Sequence, residues 1–487
     1  MRNATLIAAL TISSLAFTLS ARSQVFRNLD FSDVCDTCKT GVAFWDLSWS
    51  GNRTVIKQTI GAQGHPALMI ADPNDAVGFV EQQVRLPVLR TPRIFRVSGN
   101  VRTDNVVGKG AGLNVAIHDS TGTLLANADM GFGSFSWCTG TQGLRRLDLD
   151  VVCPVNTARI ALGAILYGQG TAWFSDYKVT LVPLEDRVPG SRAIAYVNAA
   201  CDTIAAHSLH RDSVDLKTLR SVAMQVAGPD GDLRDLHLAV QFLLAGLNDH
   251  HSFLMRPEEV KAWEGNGAPT AVEYASHRII QGCGYIAVPS FDSNDSTLMA
   301  AFVDTIQQAL HRFDGAGIRG WIIDLRENKG GNMNPMVCGL GPLFDPGTLG
   351  QLVDAQGRAS RWAYRDGIYM WDDRTAMTAP HPVQLGHKLP IAVLWGPHTG
   401  SSGECTAISF IGNSRTRSFG QPTWGLTTGN SEFDLSDGAK MFLASTRMAD
   451  RNGNVFDGPI APDEIVDTQA DNGEDPTLKA ALKWIGN

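Results

Sequence analysis

The spacing of apolar positions changes character along this chain. From residue 24 to about residue 183, short runs alternate apolar and polar side chains, as in Ile94-Phe95-Arg96-Val97-Ser98 and Leu113-Asn114-Val115-Ala116-Ile117. Turn signals separate them: Asp119-Ser120-Thr121-Gly122, Thr139-Gly140 and Gly168-Gln169-Gly170. Alternation with frequent turns predicts an antiparallel β-sandwich over residues 24–183. Residues 184–191 hold Pro189-Gly190 among charges and read as a linker. The period then becomes helical. Ile194, Val197, Cys201 and Ile204 share one stripe, as do Leu236, Val240, Leu243, Leu244 and Leu247, which predicts a helical segment over residues 192–263. From residue 264 to 487 buried strands and helices alternate. Strands are predicted at 285–288, 321–325 and 391–395, with helices carrying Leu298, Phe302, Ile306, Leu310 and Phe313, at 335–340, and at about 403–411. Strands apolar on both faces, interleaved with helices, predict a βαβ core with a parallel sheet. Residues 345–390 are polar and poorly periodic and read as a β-hairpin excursion. Residues 441–466 read as strands and turns, and 479–485 as a terminal helix.

The length of 487 residues allows two or three domains. A 44% hydrophobic and 18% charged composition is that of a globular chain. The net charge is −8 and no Lys/Arg cluster stands out, which argues against nucleic acid as a partner. Residues 1–23 read as a signal peptide: Arg2, an apolar run over 6–19, and Ala21-Arg22-Ser23 as the cleavage site. No later run of about 18 apolar residues could span a membrane. The expectation is an exported protein, periplasmic or extracellular. Of the eight cysteines, Cys35 and Cys38 form a short disulfide loop or are free thiols. Cys138 and Cys153 flank a predicted hairpin and are expected to pair. The remaining four read as single buried residues.

Candidate chemistry gathers in two glycine-rich turns. Pro397-His398-Thr399-Gly400-Ser401-Ser402-Gly403-Glu404 follows the strand at 391–395 and runs into a small-residue helix. Small residues let the backbone approach a ligand, and the new helix turns free N–H groups and partial positive charge toward it. Ser401 is then either a nucleophile or an N-cap in a tight turn. The second stretch, Asp324-Leu325-Arg326-Glu327-Asn328-Lys329-Gly330-Gly331, also leaves a buried strand. Together they resemble the S41 peptidases, the C-terminal processing and tricorn-type proteases: D-L-R-x-N-x-G-G at 324–331, S-x-x-E at 401–404, and a tail with Asp437-Gly438, Gly453 and Pro462-Asp463. The resemblance spans roughly residues 192–466 and implies a crotonase/ClpP-like core.

Asp249-His250-His251-Ser252 resembles that family's D-x-H-S/T motif and implies His251 as general base, beside the alternatives of an exposed, idle histidine pair or a metal site. The processing branch uses a lysine in T-F-G-K-G. Here that place reads Thr423-Trp424-Gly425-Leu426-Thr427, and leucine cannot accept a proton. The resemblance also implies backbone oxyanion donors at Ser402 and at Gly330 or Gly331, with Asp249 and Asp457 as candidate orienting acids. A base of this kind is expected to titrate between about 6 and 7.5. Only about two dozen residues lie between 257 and 285, too few for a PDZ domain. The sequence therefore predicts an exported serine hydrolase, a peptidase acting through an acyl-enzyme on Ser401, with a peptide or protein substrate and no cofactor or metal. An esterase using the same site and a non-catalytic ligand-binding homologue are the alternatives. The strand at 170–176 resembles the last strand of jelly-roll carbohydrate-binding-like modules. Its Trp173 either packs in the core or stacks on sugar.

Overall fold

The computed structural model describes residues 25–61, 64–74, 77–130, 137–229, 231–264, 272–467 and 474–486. The signal peptide expected over residues 1–23 lies outside them. The chain divides into two compact units. One takes in Met1–Asp129, Thr139–Leu149 and Cys153–Thr180; the other takes in Met130–Cys138, Asp150–Val152 and Leu181–Asn487.

The first unit is built on one eight-stranded sheet. Its strands are β1 (Asp46–Trp49), β2 (Val55–Ile60), β3 (Pro66–Asp72), β4 (Val77–Arg85), β5 (Arg93–His118), β6 (Leu124–Ala128), β7 (Cys138–Cys153) and β8 (Arg159–Pro183). One path runs β1-β4-β8-β3-β2, and β5 pairs with β6, β7 and β8. The two short runs predicted at 94–98 and 113–117 belong to one 26-residue strand, β5. Gly168-Gln169-Gly170, expected to turn the chain, lies inside β8. A Cβ on Gly168 would sit 2.0 Å from Val107 O, and one on Gly170 would sit 2.6 Å from Asn105 O. These glycines admit the close approach of β5, which is the other physical reason for glycine in a strand. Phe31, Trp45 and Tyr177 pack together in the interior. Trp173 is half-buried, and the Arg102 guanidinium stands 4.3 Å over its ring, so a cation already occupies a face that a sugar would need.

The predicted Cys138–Cys153 bridge is not formed. The two residues end the same 16-residue strand, β7. At about 3.3 Å of rise per residue they are far too distant to pair. Cys35 and Cys38 do form a disulfide.

In the second unit the chain runs through α1 (Ser191–His207), α2 (Leu216–Ala227), α3 (Leu233–Ala245), β9 (Phe253–Met255), α4 (Pro257–Trp263), β10 (Ser276–Ile280), β11 (Cys283–Ala287), α5 (Ser296–Gly315), β12 (Trp321–Asp324) and α6 (Met333–Leu340). It continues through β13 (Thr348–Asp354), β14 (Ala359–Arg365), β15 (Ile368–Trp371), β16 (Arg374–Thr378), β17 (Ile391–Trp395), α7 (Ser402–Ile408), β18 (Thr416–Gly420), β19 (Thr428–Asp434), β20 (Lys440–Asp450), β21 (Glu464–Ile465) and α8 (Pro476–Gly486). Six strands form a sheet in the order β10-β11-β12-β17-β18-β21, parallel from β11 onward. The region predicted as a hairpin excursion supplies β13 to β16. With β20 and β19 these make a second, antiparallel sheet, and β9 adds to β20.

Every residue of β12 and β17 is buried, which explains their unbroken apolar sequence. The stripe Phe302, Ile306, Leu310 and Phe313 of α5 packs into the same core. β12 and β17 are parallel neighbours, with Asp324 opposite Leu394. Parallel neighbours deliver their following turns at the same sheet edge. The glycine turn at 325–332 and the serine turn at 396–401 therefore emerge side by side, although some 70 residues separate them in sequence.

Part of the predicted linker is fixed to the second unit. Arg187 donates from Nη2 to Asp235 Oδ2 at 2.5 Å, and from Nε to Gln225 O at 2.9 Å. A chain beginning at Leu181 is expected to stay folded and active on short peptides. One beginning at Gly190 lacks Arg187, and with it the hydrogen bonds to Asp235 and Gln225, and should melt at a lower temperature. Thermal unfolding of the two shortened chains checks this.

Candidate active site

The serine turn is organised by strain and by one buried acid. Ser401 has φ 52° and ψ −121°, a left-handed conformation that costs a non-glycine residue of order 1–3 kcal/mol. The same kind of sharp strand-to-helix turn projects a nucleophile in other hydrolase folds. Glu404 is fully buried. One of its oxygens accepts the Ser401 N–H at 2.8 Å. The other accepts the Thr423 hydroxyl at 2.5 Å and the Gly425 N–H at 2.9 Å. Burial raises the Glu404 carboxyl to about 6 against these hydrogen bonds. The role is structural: Glu404 caps the first turn of α7 and ties residues 423–425 to the Ser401 backbone.

Asn328 joins the two turns. Its main-chain oxygen accepts the Gly400 N–H at 3.0 Å. Its side chain donates to Val288 O and Pro289 O and accepts the Gly330 N–H at 3.0 Å. A Cβ on Gly403 would lie 2.3 Å from Asn328 O, and one on Gly330 would lie 2.8 Å from Ser401 Cβ. Both positions therefore require glycine. The Asn328 contact changes the expectation for Gly330, whose amide is already committed to the Asn328 side chain. Gly331 and Ser402 keep amides with no acceptor among the described residues, Ser402 because it begins a helix. Asp324 and Arg326 brace the glycine turn from behind, through Tyr285 Oη at 2.7 Å and Asp475 at 2.8 Å.

His251 is brought to this turn from the loop after α3. Its Nε2 lies 2.8 Å from Ser401 Oγ and its Nδ1 lies 2.6 Å from Thr428 Oγ1. Asp249 is not bonded to the ring. Its carboxylate accepts the main-chain N–H groups of His251 at 3.0 Å and Ser252 at 2.8 Å, and the Ser252 hydroxyl, which fixes the loop. The ring nitrogen that an orienting acid would take is held by Thr428, so neither Asp249 nor Asp457 fills that place. His251 is 5% exposed. Burial lowers its pKa to about 4, with the Asp249 charge opposing, so the imidazole is neutral near pH 7. With Nδ1–H donating to Thr428, Nε2 is free to accept the Ser401 proton. His250, its neighbour, has φ 55° and does not share the contact.

Leu426 is 7% exposed and its Cδ1 lies 3.7 Å from where a Gly400 Cβ would be, so the motif position that carries lysine in the processing branch is apolar beside this turn. Lys440 is engaged elsewhere, 2.9 Å from Asp434. Thr428 was not foreseen from the sequence. It stands one residue past the recognised motif and 177 residues from His251, and a lone threonine opening a strand carries no signal. Thr428→Val should lower kcat roughly tenfold to a hundredfold with KM little changed, because it strands a buried N–H at a cost of about 1–3 kcal/mol. Steady-state kinetics on the purified variant checks this.

Comparison with known proteins gives one family model, peptidase family S41, matching residues 282–466. The nisin-resistance protein of Lactococcus lactis subsp. lactis is 26% identical over 329 residues, covering 67% of this chain and 95% of that one. A carboxyl-terminal-processing protease of Synechocystis sp. is 25% identical over 259 residues, 53% of each chain. Among solved structures, a lipoprotein from Streptococcus agalactiae superposes with a TM-score of 0.50 at 24% identity, covering 61% of this chain and 96% of that one. That likeness shows a shared fold.

Proposed function

On the premise that residues 282–466 make this chain a serine-type peptidase of family S41, we propose that it cleaves peptide bonds through an acyl-enzyme on Ser401, with His251 as general base. The observation that carries this is the 2.8 Å contact between His251 Nε2 and Ser401 Oγ at a strained strand-to-helix turn. A serine hydroxyl needs a base within hydrogen-bond reach. A buried, neutral imidazole is available at any pH well above 4. As Oγ attacks the scissile carbonyl, Nε2 takes its proton and Thr428 holds the ring in the required tautomer. The same proton then passes to the leaving amine, and a water repeats the sequence to release the acid. The amides of Ser402 and Gly331 receive the developing oxyanion. One such donor is worth about 3 kcal/mol.

The substrate is a peptide or protein, in keeping with relatives named for nisin resistance and for carboxyl-terminal processing. Export to the periplasm or the cell exterior follows from the leader-like residues 1–23. Among the described residues no helix is long and apolar enough to cross a membrane. We read residues 24–183 as a jelly-roll-like sandwich, residues 184–191 as its junction, and residues 192–487 as the helical segment and crotonase-like core of the peptidase. Carbohydrate recognition by the first part would rest on Trp49, which is 65% exposed, rather than on Trp173. Cleavage of internally quenched peptides that disappears in Ser401→Ala supports the peptidase reading. Hydrolysis of activated esters without any peptide cleavage would place the chain among acyl hydrolases instead.

A further inference from the structure

One carboxyl beside the glycine turn has no part in the chemistry above. Asp292 follows Phe291, whose main chain bridges to the turn: the Phe291 N–H donates to Gly330 O at 3.1 Å, and Phe291 O accepts the Asn332 N–H at 2.7 Å. Asp292 Oδ1 lies 2.5 Å from the point where a Cβ on Gly331 would sit. Gly331, at φ 102°, is glycine because of that backbone conformation and because a Cβ would also lie 2.3 Å from the Phe291 main-chain oxygen. Gly331 O in turn accepts the Ser402 hydroxyl at 2.5 Å. The Asp292 carboxyl thus stands beside Gly331, whose carbonyl is held by the residue next to Ser401.

The neighbouring acids are all engaged. Glu404 holds the serine turn, Asp324 is paired with Arg326, and Asp249 holds the histidine loop. Asp292 has no hydrogen bond or ion pair to any described residue, and no basic group near enough to influence it. Burial alone raises its carboxyl, to about 6. The residue nevertheless keeps part of its surface open. An enclosed carboxylate without a counter-charge is unfavourable. In a cleft, such a group marks a place where the ligand supplies the missing partner.

We propose that Asp292 is a specificity-determining residue that receives a lysine or arginine side chain of the peptide substrate close to the scissile bond. The proposal rests on the reading of Ser401 as nucleophile and of the Gly331 amide as an oxyanion donor. Its electrostatics favour basic substrates twice. The cation pairs with the carboxylate on binding, and it also neutralises a negative charge that would otherwise oppose the oxyanion forming next to it.

The test uses the full chain and acetylated, amidated, internally quenched peptides, so that the side chain is the only cation. A single lysine is moved through the positions flanking the cleaved bond, each peptide having a norleucine counterpart. At one position lysine should be preferred by at least about tenfold in kcat/KM. Asp292→Asn should remove that preference by lowering kcat/KM on the lysine peptide while the norleucine peptide is cleaved as fast or faster, and Asp292→Glu should keep it. Absence of a lysine preference at every position overturns the proposal, as does an equal loss on both peptides in Asp292→Asn. If no peptide is cleaved, the failure lies with the peptidase reading, and equilibrium binding of the same pairs to the Ser401→Ala protein decides the subsite. Tighter binding of the lysine peptide that is lost with Asp292→Asn upholds the subsite, and equal binding of the pair overturns it.

Discussion

Ser401→Ala should abolish peptide cleavage, lowering kcat at least about ten-thousandfold, the scale on which removal of a serine nucleophile acts. Ser402→Ala should remain active within about tenfold. The two serines are adjacent but do different things. Ser401 Oγ is 2.8 Å from a neutral imidazole. Ser402 Oγ donates to Gly331 O at 2.5 Å, so its hydroxyl is occupied in bracing the glycine turn. The contribution expected of Ser402 to chemistry is its main-chain amide, which alanine retains; what Ser402→Ala removes is one hydrogen bond, worth about 1 kcal/mol. Measuring kcat for the two variants on one quenched peptide separates these roles. If Ser402→Ala were the inactive variant, the nucleophile assignment would be off by one residue.

His251→Ala should lower kcat/KM by at least about a hundredfold, the ordinary contribution of a general base, while His250→Ala should do much less. The pH profile carries more information than either number. A base must lose its proton to act, so activity rises with pH through the pKa of His251. An exposed imidazole would put that limb between about 6 and 7.5. Here burial lowers the pKa to about 4, so the limb set by His251 should lie in acid, near pH 4, and should leave kcat/KM flat through neutrality. The partner on the far side of the ring is consistent with this direction. Thr428 is neutral and orients the ring without stabilising an imidazolium, as a carboxylate would. Thr428→Asp should accordingly move the acid limb upward, because a nearby negative charge favours the protonated ring.

Ser401 and His251 were legible in the sequence as candidate nucleophile and base because each lies in a short run whose order and residue types have a local meaning: a strand, a small-residue turn and a helix for Ser401, and an Asp-turn after a helix for His251. The central strands were legible for a similar reason, since burial on both faces leaves an unbroken apolar run. What the sequence did not give was anything decided by contacts between distant segments. The ring partner of His251 comes from the start of β19. The choice between the amides of Gly330 and Gly331 turns on where one oxygen of Asn328 points. Glycines at 168 and 170 look the same in sequence whether they turn a chain or admit a neighbouring backbone. In β8 they do the second. The supposed Cys138–Cys153 pair failed because the hairpin assumed between them is a single strand. Asp292 carried no signal either, being one aspartate among several in a loop until Gly331 is seen against it.

The central claim is that Ser401 and His251 form a working nucleophile and base. Reaction of the full chain with a fluorophosphonate probe, followed by mass spectrometry of the modified peptide, tests it most directly. The account predicts one adduct, on Ser401, formed at neutral pH, slowed at least about a hundredfold in His251→Ala and suppressed below about pH 4. No adduct at any pH, or an adduct on another serine with Ser401 untouched, would contradict it.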